Sequence, residues 1–111
     1  MPIVNRQEVK EEQGHCGLIR KLVSEGPARI IHLVVKNAER HFHKITTEYY
    51  YVLNGRGQLF LDGKLLDINK GDLITIEPGV IHQAIEQDEV LEILVVEVPP
   101  AINDVYYEPT R

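Results

Sequence analysis

From Arg29 to Val98 the chain reads as a series of short apolar runs, rich in β-branched residues and mostly closed by glycine or proline. Such runs are too short for typical helices, and β-branched and aromatic side chains suit a pleated, half-buried surface. Arg29–Lys36 leads; Glu48–Leu53 follows, closed by Asn54-Gly55, and then Gln58–Leu61. Asp62-Gly63 predicts a two-residue hairpin, because both turn positions take positive φ, with Lys64–Ile68 as the returning partner. Lys70-Gly71-Asp72 and Pro78-Gly79 predict turns on either side of Leu73–Ile76, ahead of Ile81–Ile85, and Val90–Val98 stops at Pro99-Pro100. Regularly spaced short strands with turn residues between them predict an all-β barrel or sandwich. Gly17–Val23 offers one more strand, while Ala101–Arg111 has no clear period and is expected to hold a helical turn at most.

At 111 residues the chain suits one domain, 1–111, with the strand-bearing core at about 28–98. A single cysteine rules out an internal disulfide framework, so Cys16 reads as the reduced thiol of a cytoplasmic protein. Met1–Lys10 lacks the apolar run of a signal peptide, and no stretch approaches the roughly 20 apolar residues of a membrane helix. No membrane partner is expected. Residues 1–76 carry eleven basic and nine acidic groups and 77–111 one basic and eight acidic, which gives +2 and −7. A nucleic-acid binder shows clustered Lys and Arg instead. Nucleic acid is therefore excluded as an expected partner.

The chemistry concentrates in four residues. His41 and His43 stand two apart, and on a strand residues i and i+2 share a face, so both imidazoles project together while Phe42 points away. Glu48 opens the next apolar run, and His82 follows the Pro78-Gly79 turn. Three imidazoles and one carboxylate suit one divalent transition metal ion: Mn, Fe, Co, Ni, Cu or Zn. An octahedral ion on four protein ligands keeps two positions for water or substrate, which separates a working site from a closed structural one.

The spacing around these residues resembles a known family. His41-x-His43, then Glu48, then Gly55 resembles the first motif of the cupins, and Gly71 followed by Pro78-Gly79-Val80-Ile81-His82 resembles the second. The resemblance covers about residues 16–98. It implies a double-stranded β-helix, or jelly-roll barrel, with His41, His43 and Glu48 as the first motif's three ligands and His82 as the second's. Three positions depart from the pattern: Val35 where a glycine is usual, Glu77 where a proline is usual, and Glu86 where an asparagine is usual. None is a ligand position, so the departures bear on turn shape and on hydrogen bonds behind the ligands. The resemblance further implies a metal-dependent enzyme acting on a small organic molecule, either dioxygenase-like or like a sugar isomerase or epimerase. A non-catalytic module that binds or senses a sugar or metabolite is the alternative, and a homodimer is implied by analogy.

Catalytic roles are not assigned by sequence, but two candidates emerge. His32 shares strand parity with Ile30 and Val34, and lines the cavity if that face looks inward. Tyr50 shares the parity of Glu48 among three consecutive tyrosines. Glu92 and Glu97 have opposite parity, so one of them faces inward. His15 and Cys16, flanked by Gly14 and Gly17, read as a mobile loop without a catalytic role. No glycine-rich phosphate cradle is present; Asn54-Gly55-Arg56-Gly57 is hairpin punctuation.

Overall fold

The computed structural model describes residues 2–108. Its strands are β1 (Glu12–Gln13), β2 (Gly17–Val23), β3 (Arg29–Val35), β4 (His41–Phe42), β5 (Thr47–Asn54), β6 (Arg56–Leu61), β7 (Lys64–Asn69), β8 (Leu73–Ile76), β9 (His82–Glu86), β10 (Glu92–Val98) and β11 (Tyr106–Tyr107). They form two antiparallel sheets, ordered β1-β2-β3-β10-β5-β8 and β11-β4-β9-β6-β7. A single 3-10 turn at Arg6–Glu8 is the helical element among the described residues. This is the all-β architecture expected from the strand spacing, in the jelly-roll form that the family resemblance implies.

Alternation builds the interior. Along β5, Glu48, Tyr50 and Val52 are buried while Tyr49 and Tyr51 are exposed; along β10, Ile93, Val95 and Glu97 are buried. Leu59, Ile76, Ala84 and Leu91 complete the apolar packing between the sheets. Fully burying a side chain such as Ile93 contributes about 1.5–3 kcal/mol. The core lies between the sheets, with the polar site at one end of it.

Turns fall where turn residues were read. Asp62 and Gly63 take φ of 50° and 81° and close the β6–β7 hairpin. Gly55, at φ 79°, is irreplaceable for a second reason: a Cβ there would collide with the Val90 carbonyl oxygen. The unusual residues Val35 and Glu86 are accommodated at one turn. Asn37 takes the left-handed conformation (φ 51°), which Asn tolerates better than most residues, and its N–H donates to Glu86 Oε2 at 3.0 Å. The C-terminal tail corrects the expectation of a helical turn: Tyr106–Tyr107 pairs with β4 as a short strand. With so few residues, the β11 segment shows no strand period in the sequence.

Candidate metal centre

Three elements deliver the four expected ligands to one point. His41 opens β4 and is the register partner of His82, the first residue of β9, while Glu48 enters from the opposite sheet. His43 lies just past the end of β4. All four side chains are buried, and one ligand atom from each lies within 4.8 Å of the others. Glu48 Oε1 stands 2.9 Å from His43 Nε2 and 3.0 Å from His82 Nε2.

The main chain sets the other side of each ring. His41 Nδ1 lies 3.0 Å from the Glu39 carbonyl, His82 Nδ1 2.9 Å from that of Val80, and His43 Nδ1 2.6 Å from that of Asp104. Carbonyl oxygens only accept, so each Nδ1 carries the proton and each neutral ring has a bare Nε2. For His43 and His82 that bare nitrogen faces an acceptor-only carboxylate oxygen. Two lone-pair-bearing atoms held at 2.9–3.0 Å require a cation between them, a proton or a metal ion. A histidine whose far nitrogen is held by a carbonyl is the usual arrangement of a metal ligand. The donor set therefore fits a divalent transition metal, and the cluster is able to bind one.

Electrostatics follow the same contacts. Burial, reinforced by His82, lowers the His41 pKa to about 3. Burial also works against a charge on His43, but the hydrogen bond and charge of Glu48, with the Asp104 carbonyl, outweigh it and raise the His43 pKa. Burial would raise the Glu48 carboxyl; His43 and His82 more than compensate and hold it well below the usual carboxylate range.

A cavity of about 220 Å³ adjoins the cluster through His41 and Glu48 and runs between the β1–β2 hairpin and the inner face of β3, β5 and β10. Tyr50 is buried on its wall, as its shared parity with Glu48 predicts, and burial together with the Glu48 charge raises its phenol pKa. His32 does not line it. The inward residues of β3 are Ile31, Leu33 and Val35, and His32 is buried on the outer face beneath Arg6 and Glu92. Both faces of β3 are apolar, so parity alone could not say which looks inward.

Other cavity residues were not legible as such. Glu97 is the inward glutamate of β10, placed opposite Glu48 in the strand register, with Oε1 accepting from Arg29 Nε at 2.6 Å and from the Ala101 N–H at 3.2 Å. Burial and the Glu48 charge raise its pKa despite Arg29. His15 and Cys16 also line the cavity instead of forming a detached loop. The His15 ring meets His41 edge-on at 4.6 Å, and Cys16 is buried with its sulfur 3.9 Å from His41 Nδ1. Burial pushes the Cys16 thiol up to about 12. Gly17 makes this packing possible: at φ 143° it passes so close to Val34 that any Cβ would strike the Val34 carbonyl. That glycine and Gly14 were the available signal, and they were read only as flexibility.

Fold and site together define a jelly-roll barrel with a buried cluster of three histidines and one glutamate beside a small cavity. The cupin-domain family matches residues 30–97, and the chain belongs to that family. An uncharacterized protein of Methanocaldococcus jannaschii, MJ1618, is 36% identical over 83 residues, covering 74% of this chain and 66% of that protein. The chain thus spans just under two thirds of that relative's length. Among solved structures, a protein from Planctomyces limnophilus superposes with a TM-score of 0.83 at 20% identity, covering 95% of each chain. Streptomyces Pac13 with uridine gives 0.80 at 20% identity over 95% of this chain and 88% of that one; Pac13 is described as a nucleoside dehydratase. Bacillus subtilis oxalate decarboxylase gives 0.76 at 20% identity, over 94% of this chain and 31% of that one. At these identities the solved structures share the fold alone.

Proposed function

We propose that the protein binds one divalent transition metal ion through His41, His43, Glu48 and His82 and acts as an enzyme on a small polar organic molecule held in the adjoining cavity. The observation that carries this reading is the pair of Nε2 atoms facing one carboxylate oxygen while every Nδ1 is already committed to a carbonyl. Bound there, a metal ion supplies Lewis-acid polarisation of a substrate oxygen. The protein's own groups favour proton transfer, as in an isomerase, epimerase or dehydratase, over dioxygenase chemistry. Tyr50 and Glu97 line the cavity, and burial pushes both toward their protonated forms. The raised Glu97 carboxyl is shifted toward the range in which acid–base chemistry works, while Tyr50 keeps its phenol proton and offers an O–H donor to orient a substrate oxygen. That solved neighbours include a nucleoside dehydratase and an oxalate decarboxylase supports an enzymatic role on small molecules.

The test is metal analysis of untagged protein purified without chelators, on wild type and His82→Ala. Close to one equivalent in wild type, lost from His82→Ala, is the expected result. Equal trace metal in both would remove the proposal. Metal and ligand binding without turnover of any sugar, nucleoside or keto acid would leave a sensing module instead. We further propose a cytoplasmic location, supported by the one buried reduced thiol.

A further inference from the structure

His32 is left without a role at the metal centre, yet it is buried and part of a polar triangle. Its Nε2 lies 3.1 Å from Arg6 Nη1 and 3.2 Å from Glu92 Oε1, and Arg6 Nη1 lies 3.1 Å from the same carboxylate oxygen. A guanidinium has only donors, so where Arg6 Nη1 bridges His32 Nε2 and Glu92 Oε1 the ring is neutral with Nε2 bare. If the ring takes a proton on Nε2, that N–H donates directly to Glu92, and Arg6 loses the His32 acceptor, has to share Glu92 and faces a second cation. The proton thereby competes with the guanidinium for the same carboxylate oxygen. Both arrangements satisfy Glu92.

The segment that Arg6 anchors has little else to hold it. Residues 2–10 are exposed except for half-buried Val9, and the 3-10 turn at Arg6–Glu8 buries no residue. Among the described residues its remaining side-chain ties to the barrel are the Val9 carbonyl accepting from Arg20 Nε at 3.2 Å and a loose Arg20–Glu11 pair at 3.6 Å. A segment with few buried apolar contacts opens at low free-energy cost. It leads directly into β1, whose Glu12 and Gln13 form part of the cavity wall.

We propose that His32, Arg6 and Glu92 form a pH-responsive latch: protonation of His32 releases Arg6 and undocks the N-terminal segment, loosening the β1 wall of the cavity. The charged groups facing the ring are Glu92 from β10, Arg6 from the N-terminal segment and Arg20 from β2. Burial, with Arg6 and Arg20, keeps the His32 pKa below its ordinary 6.5 despite Glu92. The docked state therefore binds fewer protons than the released state, so docking is favoured above the ring's pKa and lost as pH falls through it.

NMR on the full chain tests this directly, following backbone 15N relaxation of residues 3–13 and the His32 ring signals across the His32 titration. In wild type, residues 3–9 should become mobile on the nanosecond timescale with the midpoint of the ring titration, and the Glu12 and Gln13 signals should shift with them. His32→Gln keeps an acceptor for Arg6 but cannot be protonated, so its segment should stay ordered throughout. Arg6→Ala, a surface change, should leave the segment mobile at every pH and raise the His32 pKa. The latch is refuted if the segment stays ordered after His32 has titrated, if His32 remains neutral until acid unfolding, or if Arg6→Ala leaves the His32 titration unmoved.

Discussion

His43 is the residue through which pH reaches the metal centre. Its pKa is raised by Glu48, whereas that of His41 falls to about 3. A metal ion binds the neutral ring, so it must displace the proton of His43 once pH drops through a value above the ordinary 6.5. His41 stays neutral far below that point, and Glu48, held low, stays ionised. Metal affinity is therefore expected to start falling above about pH 6.5 and to lose fewer than three protons' worth of slope near pH 6. Competition titration against a chelator, corrected for its own proton uptake, gives both quantities. Affinity that stays flat from about pH 7.5 to about pH 5 would show that the histidines are not the ligands.

At the level of elements, the C-terminal tail and the β4–β5 loop act as one unit. The Asp104 carboxylate accepts N–H groups of Lys44, Ile45 and Thr46 at 2.9, 3.0 and 3.0 Å, and its carbonyl accepts Nδ1–H of His43. Burial would raise its pKa, but the three N–H donors outweigh that and lower it. Tyr106 adds a stack on Phe42 at 5.4 Å. Asp104→Ala leaves three N–H groups of a half-buried loop without their acceptor. It is expected to cost about 2–3 kcal/mol of stability and to weaken metal binding about 10- to 100-fold by loosening His43. Denaturant melts and metal titration of the variant check the two effects separately. A loss of stability with unchanged metal affinity would mean that the tail supports the loop but not the ligand.

For the whole molecule, two outcomes are expected. The barrel rests on apolar burial, so the metal-free protein should remain folded, and bound metal should add about 2.7 kcal/mol when free metal is a hundredfold above its dissociation constant. Thermal melts should show this rise in wild type and His15→Ala and little or none in His82→Ala. A full rise in His82→Ala would remove that residue from the ligand set. The second outcome is a homodimer. The outer face of the six-stranded sheet exposes Tyr49, Tyr51, Leu73 and Val98, and exposed apolar patches of this kind mark association surfaces. The Gly17–Val23 strand offers little free edge for pairing, since β1 covers Leu18 and Ile19. Light scattering at micromolar protein decides it, and a monomer mass would exclude the dimer.

Local chemistry is what the sequence by itself determined: short β-branched runs as strands, Asp62-Gly63 as a hairpin, and, through their resemblance to the cupin motifs, His41, His43, Glu48 and His82 as the residues that the structure gathers into one buried cluster. The strands and turns rest on periodicity and turn preference, which act over a few residues, whereas the four-residue set was legible through the resemblance to a family. Strand faces were decided only by the tertiary structure. On β3 and β10 both parities are apolar, so whether His32 or Leu33, Glu92 or Glu97, looked inward depended on which sheet packed on which side. The same holds for the tail and for His15–Cys16. Their positions come from partners 61 residues away at Asp104–His43 and 25 away at Cys16–His41. Contacts at that separation leave no local pattern, because their free energy exists only once the two sheets have closed over the core.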